Sequence, residues 1–120
     1  MRFLVMVKAT KQSEAGELPS AEMFAKMGAF NETLIRDGIF LAGEGLHPSS
    51  KGARVSYGDG KPVVTDGPFA ETKELVAGFW LLQARSKEEM IERLLQCPFD
   101  GGEVEIRPVY EVEDFAGLLK

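Results

Sequence analysis

Two segments, residues 3–7 (FLVMV) and 76–82 (VAGFWLL), constrain this chain more than any other feature, because each is apolar on both faces that a β-strand presents. Side chains alternate across a strand, so Phe3, Val5 and Val7 share one face while Leu4 and Met6 share the other. In the second segment Val76, Trp80 and Leu82 oppose Ala77, Phe79 and Leu81 in the same way. Strands of this kind belong at the centre of a sheet with material on both sides. Beyond Gly102 the pattern changes: Glu103, Glu105 and Arg107 alternate against Val104, Ile106 and Tyr110, as in a half-exposed edge strand.

The remaining elements follow from where the apolar period is 2 and where it is 3.6. Arg2 to Lys8 is predicted as a strand and Thr10 to Leu18 as a polar loop. Pro19 and Ser20 open a helix whose apolar stripe is Met23, Phe24, Met27, Phe30, Leu34 and Ile35, and Gly38 stops it. Ile39 to Leu46 is a second strand. Ala53 to Tyr57 and Pro62 to Thr65 form a hairpin about Gly58-Asp59-Gly60. Leu75 to Ala84 is a longer strand. Ser86-Lys87-Glu88-Glu89 has the form of a capping box, opening a helix with Met90, Ile91, Leu94 and Leu95 on its buried face and Pro98 at its end. Val104 to Val112 is the last strand, followed by a short tail, Glu113 to Lys120.

With the hairpin set aside, the order is β-α-β-β-α-β, the split pattern of an α+β ferredoxin-like domain over residues 1–120. Both helices then lie on one face of a four-stranded antiparallel sheet. The other face keeps several large apolar side chains, more than a monomer usually exposes, so a second copy of the chain is the expected cover.

Charge and composition exclude other classes. Nineteen acidic against 14 basic side chains give a net charge of -5, and no Lys/Arg cluster supplies the phosphate-neutralising surface of a nucleic-acid-binding protein. The apolar start is too short for a signal peptide or a membrane span, which leads us to expect a cytoplasmic protein with no membrane partner. The single cysteine, Cys97, permits no internal disulfide, and its place beside Pro98 at a helix end suits packing rather than nucleophilic chemistry. Gly43-Glu44-Gly45 is not a dinucleotide fingerprint, since Pro48 stands where the third glycine belongs, and no cofactor or metal motif appears elsewhere.

The segments LAGEGLHP (41–48), TDGPFAETKE (65–74), AGFWLL (77–82), QCPFDGG (96–102) and EVEIRPV (103–109) resemble the DGPF branch of the YCII-related proteins over nearly the whole chain. The resemblance implies ferredoxin-like subunits paired into a dimeric α/β barrel, with a cleft at or near the dimer interface. It implies an enzymatic role or, for members encoded or fused beside extracytoplasmic-function sigma factors, an accessory one. The founders' proposed His/Asp pair does not transfer: the first helix has no histidine, and Cys97 precedes Pro98-Phe99.

The chemistry that remains centres on His47, the one histidine and the one side chain whose ordinary pKa suits proton transfer near neutrality. Glu44 or Asp66 would supply its carboxylate partner. In DGPF relatives this position is often glutamine, which binds without shuttling protons. The stretch TDGPFAETKE carries two readings. As a turn, Asp66 accepts backbone amides of residues 68–70, Phe69 plugs the core, and Glu71, Lys73 and Glu74 form a solvated face. As a site, the loop walls a cleft with His47, with Phe69 as an apolar wall and Glu71 and Lys73 presenting charge. Arg54 joins this second reading as a clamp for a ligand carboxylate, against a solvated ion pair in the first. The expected ligand is a small polar or carbonyl compound, handled without a cofactor.

Overall fold

A computed structural model describes residues 1–58 and 60–118. The elements run β1 (Arg2–Lys8), α1 (Lys11–Glu14), α2 (Ala21–Arg36), β2 (Phe40–Gly45), β3 (Ala53–Ser56), β4 (Val63–Asp66), β5 (Val76–Gln83), α3 (Lys87–Leu94) and β6 (Val104–Pro108). Short 3-10 turns occupy Ser49–Lys51, Thr72–Glu74 and Val112–Phe115. No helix among the described residues is long and apolar enough to cross a membrane.

The four long strands form one antiparallel sheet in the order β2-β5-β1-β6, so the two doubly apolar segments are its central strands. Their register sets the two faces. Phe3 lies opposite Leu82 and Val5 opposite Trp80, and these four are buried with Phe30 and Leu34 of α2 and Met90 of α3. Both helices therefore cover one face. On the other, Leu4 pairs with Leu81 and Met6 with Phe79. All four are only part-buried and no helix lies over them. Register adds Glu105 and Arg107 of β6 and Ala42 and Glu44 of β2 to this helix-free face, a charged rim about an apolar centre.

Local chemistry explains the helix boundaries. The Ser20 hydroxyl accepts the Met23 amide and the Ser86 hydroxyl accepts the Glu89 amide, each tying down one free N–H of a first turn. The expected capping box at Ser86 is only half formed, because the Glu89 carboxylate turns to the Arg85 guanidinium instead of the cap amide. The α2 chain leaves its helix through Asp37 and through Gly38 at a φ of 72°, a conformation glycine takes without strain.

Three expectations are corrected. Residues 10–18 are not all loop, since Thr10 and Ser13 cap each other reciprocally and open α1. The helices bury narrower stripes than the pattern suggests: Phe24 and Ile35 of α2, and Ile91 and Leu95 beside Met90, are exposed flank positions. The last strand stops at Pro108, with the Val109 amide giving the final ladder bond to the Arg2 carbonyl over 2.9 Å, and residues 112–115 of the expected strand and tail form a turn held by Glu111. Of the expected hairpin turn and tail, Asp59, Leu119 and Lys120 lie outside the described residues.

The β3–β4 hairpin stands apart from this body. Its strands pair Ala53 with Asp66 and Val55 with Val64, yet every residue of both is exposed, Val64 by 64%. The molecule measures 49 × 48 × 18 Å with a radius of gyration of 16.9 Å. About 14 Å is expected of a compact chain this long. The hairpin is thus an arm that, among the described residues, meets the rest of its own chain mainly near its root, where Arg54 lies over Phe69.

Candidate functional site

A cleft of about 1080 Å³ opens where the C-terminal ends of β1 and β2 and the N-terminal end of β5 face the first half of α2 and the α1 segment. That volume lies just above the range of ordinary small-molecule sites, about 300 to 1000 Å³. Its origin is a gap of missing side chains. Gly43 and Gly45 of β2 lie opposite Trp80 and Gly78 of β5, on the helix-covered face. A Cβ at Gly43 would meet Trp80 Cδ1 at 2.9 Å and Phe40 at 3.1 Å, so this glycine seats the aromatic rings. A Cβ at Gly45 would meet nothing within 4 Å, because that position opens on the cleft. At Gly78 it would approach the Glu44 carbonyl oxygen to 3.1 Å, so the third glycine lets β2 and β5 lie close.

Above this bare floor α2 presents Met23, Met27 and Asn31, spaced four residues apart on one side of the helix. Trp80 closes the inner end, packed edge-on against Phe30 with ring centroids 6.1 Å apart and tilted against Phe99 at 6.2 Å. Its indole N–H donates to the Asn31 side-chain oxygen over 2.9 Å. The sequence reading missed Asn31 and the glycine floor. Both left a signal: one polar residue in a methionine stripe, and G-x-G facing a glycine across the sheet.

His47 and Glu44 both border the cleft, and both are exposed. Glu44 comes from the helix-free face and Gly45 from the covered one, so the cleft wraps the end of β2. The Leu46 amide donates to the Ala77 carbonyl over 2.8 Å and extends the strand pairing to the residue before His47. Pro48 and the Ser49–Lys51 turn follow, with Pro48, Ser50 and Lys51 also on the lining.

The DGPF stretch stands behind this turn. Among the described residues the cleft lining includes neither Arg54 nor any residue of 65–74. Ser49 is instead held from both sides. Its hydroxyl and amide donate to Glu14 over 2.5 and 2.9 Å, and its oxygen accepts the Phe69 amide over 3.1 Å. These Ser49 bonds, the hydroxyl's first, hold the Glu14 carboxyl below the usual carboxylate range, with burial opposing. Gly67 donates its amide to the Gly52 carbonyl over 3.0 Å, and a Cβ there would lie 1.8 Å from the Ser49 carbonyl oxygen. Only glycine fits that contact. The Gly67–Pro68 bond is cis.

Arg54 lies over the Phe69 ring, its guanidinium carbon 3.8 Å from the centroid, so these two predicted residues do meet. Phe69 is part-buried under Arg54 and does not belong to the core cluster. Asp66, expected to accept amides of residues 68–70, makes no such bond among the described residues, since the Phe69 amide is taken by Ser49. Glu71 and Lys73 are exposed and form no ion pair within 4.0 Å among the described residues. Arg107 pairs with Glu105 at 3.4 Å. Cys97 packs against the core with Sγ 3.9 Å from Met27 Sδ, and burial pushes its thiol pKa up, against a thiolate role.

Fold and cleft together define a small α+β domain with a glycine-floored site at one end of its sheet. The chain belongs to the YCII-related domain family, whose model matches residues 1–113. An uncharacterized protein of Rhizobium meliloti (strain 1021), R00369, is 36% identical over 67 residues. The match spans 53% of this chain and about half, 54%, of that curated relative. Among solved structures, the 5-chloro-2-hydroxyhydroquinone dehydrochlorinase TftG of Burkholderia phenoliruptrix AC1100, in complex with 2,5-dihydroxybenzoquinone, matches with a TM-score of 0.54. It is 17% identical, over 94% of this chain and 97% of that one, a likeness of fold.

Proposed function

We propose that this chain is a cytoplasmic, cofactor-independent enzyme of the DGPF branch that moves a proton on a small hydroxylated or carbonyl compound bound in the glycine-floored cleft. The observation that carries the reading is the position of His47, the one histidine, on the rim of a preformed cleft that Glu44 also borders. A neutral imidazole there accepts a proton from a ligand hydroxyl or from a carbon next to a carbonyl. The Glu44 carboxylate stabilises the resulting imidazolium, which returns the proton to the product. Phe69, with Arg54 over its ring, serves this site from behind through Ser49, while Asp66, Glu71 and Lys73 face the partner copy. The partner is a second chain laid on the helix-free face about Leu4, Met6, Phe79 and Leu81, completing a dimeric barrel of ferredoxin-like subunits. The sigma-factor accessory alternative draws no support from the cleft or from the fold likeness.

The fold neighbour's printed ligand and substrate supply the first probes. Titration with 2,5-dihydroxybenzoquinone should quench the emission of Trp80 saturably, and chloride release from 5-chloro-2-hydroxyhydroquinone should be detectable. His47→Gln should keep the binding and lose about 10² or more of the turnover, the usual scale of one acid–base group. Absence of any saturable quenching by hydroxylated rings would sink the reading. Full turnover in His47→Gln would remove His47 from it.

A further inference from the structure

The cleft's inner end carries a second polar device, distinct from the His47 rim. An indole N–H can only donate, so its 2.9 Å bond fixes the Asn31 carboxamide with oxygen toward Trp80 and the NH2 group turned away. That nitrogen has no protein partner among the described residues and is not sealed from solvent. Because Asn31 borders the cleft in line with Met23 and Met27, the free side of its amide faces the cleft space. Around it the surfaces are flat or adaptable: the side-chain-free strip at Gly45 and Gly78, the Trp80 and Phe99 rings, and two thioethers that reshape at low cost. A slot with a bare backbone floor and methionines above suits a flat ring better than a branched aliphatic body. The Asn31 NH2, a fixed donor at that depth, asks for an oxygen on the ring's edge.

Resting on the cleft-binding reading above, we propose that Asn31, oriented by Trp80, is the residue that selects the ligand class, a planar ring bearing a hydroxyl or carbonyl oxygen that accepts from the Asn31 NH2. Trp80 lies opposite Gly43, and His47 is four residues further along the chain, at most about 13 Å at about 3.3 Å per residue. One ring, with a hydrogen bond at its inner oxygen, fills that interval and leaves its outer edge at His47. A purely structural Asn31, present only to satisfy the indole, would affect stability and leave ligand choice untouched.

The test follows Trp80, the chain's one tryptophan, by fluorescence in the intact protein titrated with 4-chlorophenol, 4-chlorotoluene and cyclohexanol. The phenol should bind tightest. Asn31→Leu should weaken the phenol about three- to tenfold, the worth of one neutral hydrogen bond, and leave chlorotoluene unchanged. In the unaltered protein the Asn31 side-chain 15N amide resonances should shift with the phenol and not with chlorotoluene, a measurement that decides the matter even if the variant folds poorly. Equal phenol binding in both proteins, or amide resonances that ignore the phenol, would overturn the role of Asn31 while leaving the cleft as a binding site. Cyclohexanol binding as tightly as the phenol would overturn the planar class. Indifference of Trp80 to all three compounds would remove the cleft reading itself.

Discussion

The helix-covered half of the sheet and the β3–β4 arm are built from similar apolar residues, yet one is a core and the other is bare. Val5 is fully buried among Phe3, Leu34, Trp80 and Leu82, whereas Val63 and Val64 of the arm are 60% and 64% exposed. The difference is the number of layers. The sheet has helices against it, while a two-stranded ribbon offers two faces to solvent and is marginal by itself in water. Apolar side chains on such a ribbon gain little until something covers them. The body therefore holds its shape within one chain, while the arm and the helix-free face are left largely uncovered by it.

The strongest way to break this comparison is Met6→Lys, which places a charge among Leu4, Phe79 and Leu81. If a second copy covers that face, burying the charge there costs several kcal/mol, offset only in part by Glu105 opposite position 6. Light scattering should then fall from twice the chain mass of 13.2 kDa to the monomer, or the protein should unfold. An unchanged dimer would mean that the copies meet elsewhere. Next in size, Leu34→Ala empties a fully buried site and should cost about 3 kcal/mol. Its counterpart on the arm, Val64→Ala, should cost about 0.5 kcal/mol or less if the arm is free. A larger loss that grows on dilution would show the arm packed on a partner.

Between core and arm lies the root, where Gly67→Ala forces a methyl into the Ser49 carbonyl. Neither is a flexible side-chain end, so the expected cost is about 2 kcal/mol, within the overpacking range, read as a lower melting temperature. The smallest effect is pH-dependent. Glu14 is held below the usual carboxylate range when folded, so its contribution is present above the unfolded value of about 4.3 and is lost as pH falls through the lower folded value. Glu14→Gln should flatten the acid limb of a stability profile that follows the His47 and Phe69 resonances. An unchanged profile would mean that the clasp contributes no linkage.

Much of the body was legible because its signals are local or periodic. Two doubly apolar strands imply the centre of a sheet, and Ser20 and Ser86 mark helix starts that the structure reproduces. The exposed flanks Phe24, Ile35, Ile91 and Leu95 were over-read, since helical spacing says which residues share a side but not how wide a strip the sheet touches. The last strand was read too long, because the alternation of Val104, Ile106 and Tyr110 runs on past the final ladder bond at Val109. The site was harder. Glu14 meets Ser49 across 35 residues and Ser49 meets Phe69 across 20, and no periodicity encodes such contacts. The acidic and basic letters of TDGPFAETKE drew the chemical reading, whereas its clearest structural demand is carried by Gly67, which has no side chain. The Glu44–His47 segment was correctly placed at a strand end, but its glycines were weighed only as a phosphate motif.

The contact between Gly67 and Ser49 also has a mechanical side. From its root at Ala53 and Asp66 the arm runs about five residues to its tip, roughly 17 Å at about 3.3 Å per residue, so tilting the root by about ten degrees carries the tip about 3 Å. The Ser49 carbonyl is the fulcrum of that lever, and it belongs to the same short turn whose other side borders the cleft. The root of the arm and the segment that follows His47 thus meet at this backbone oxygen.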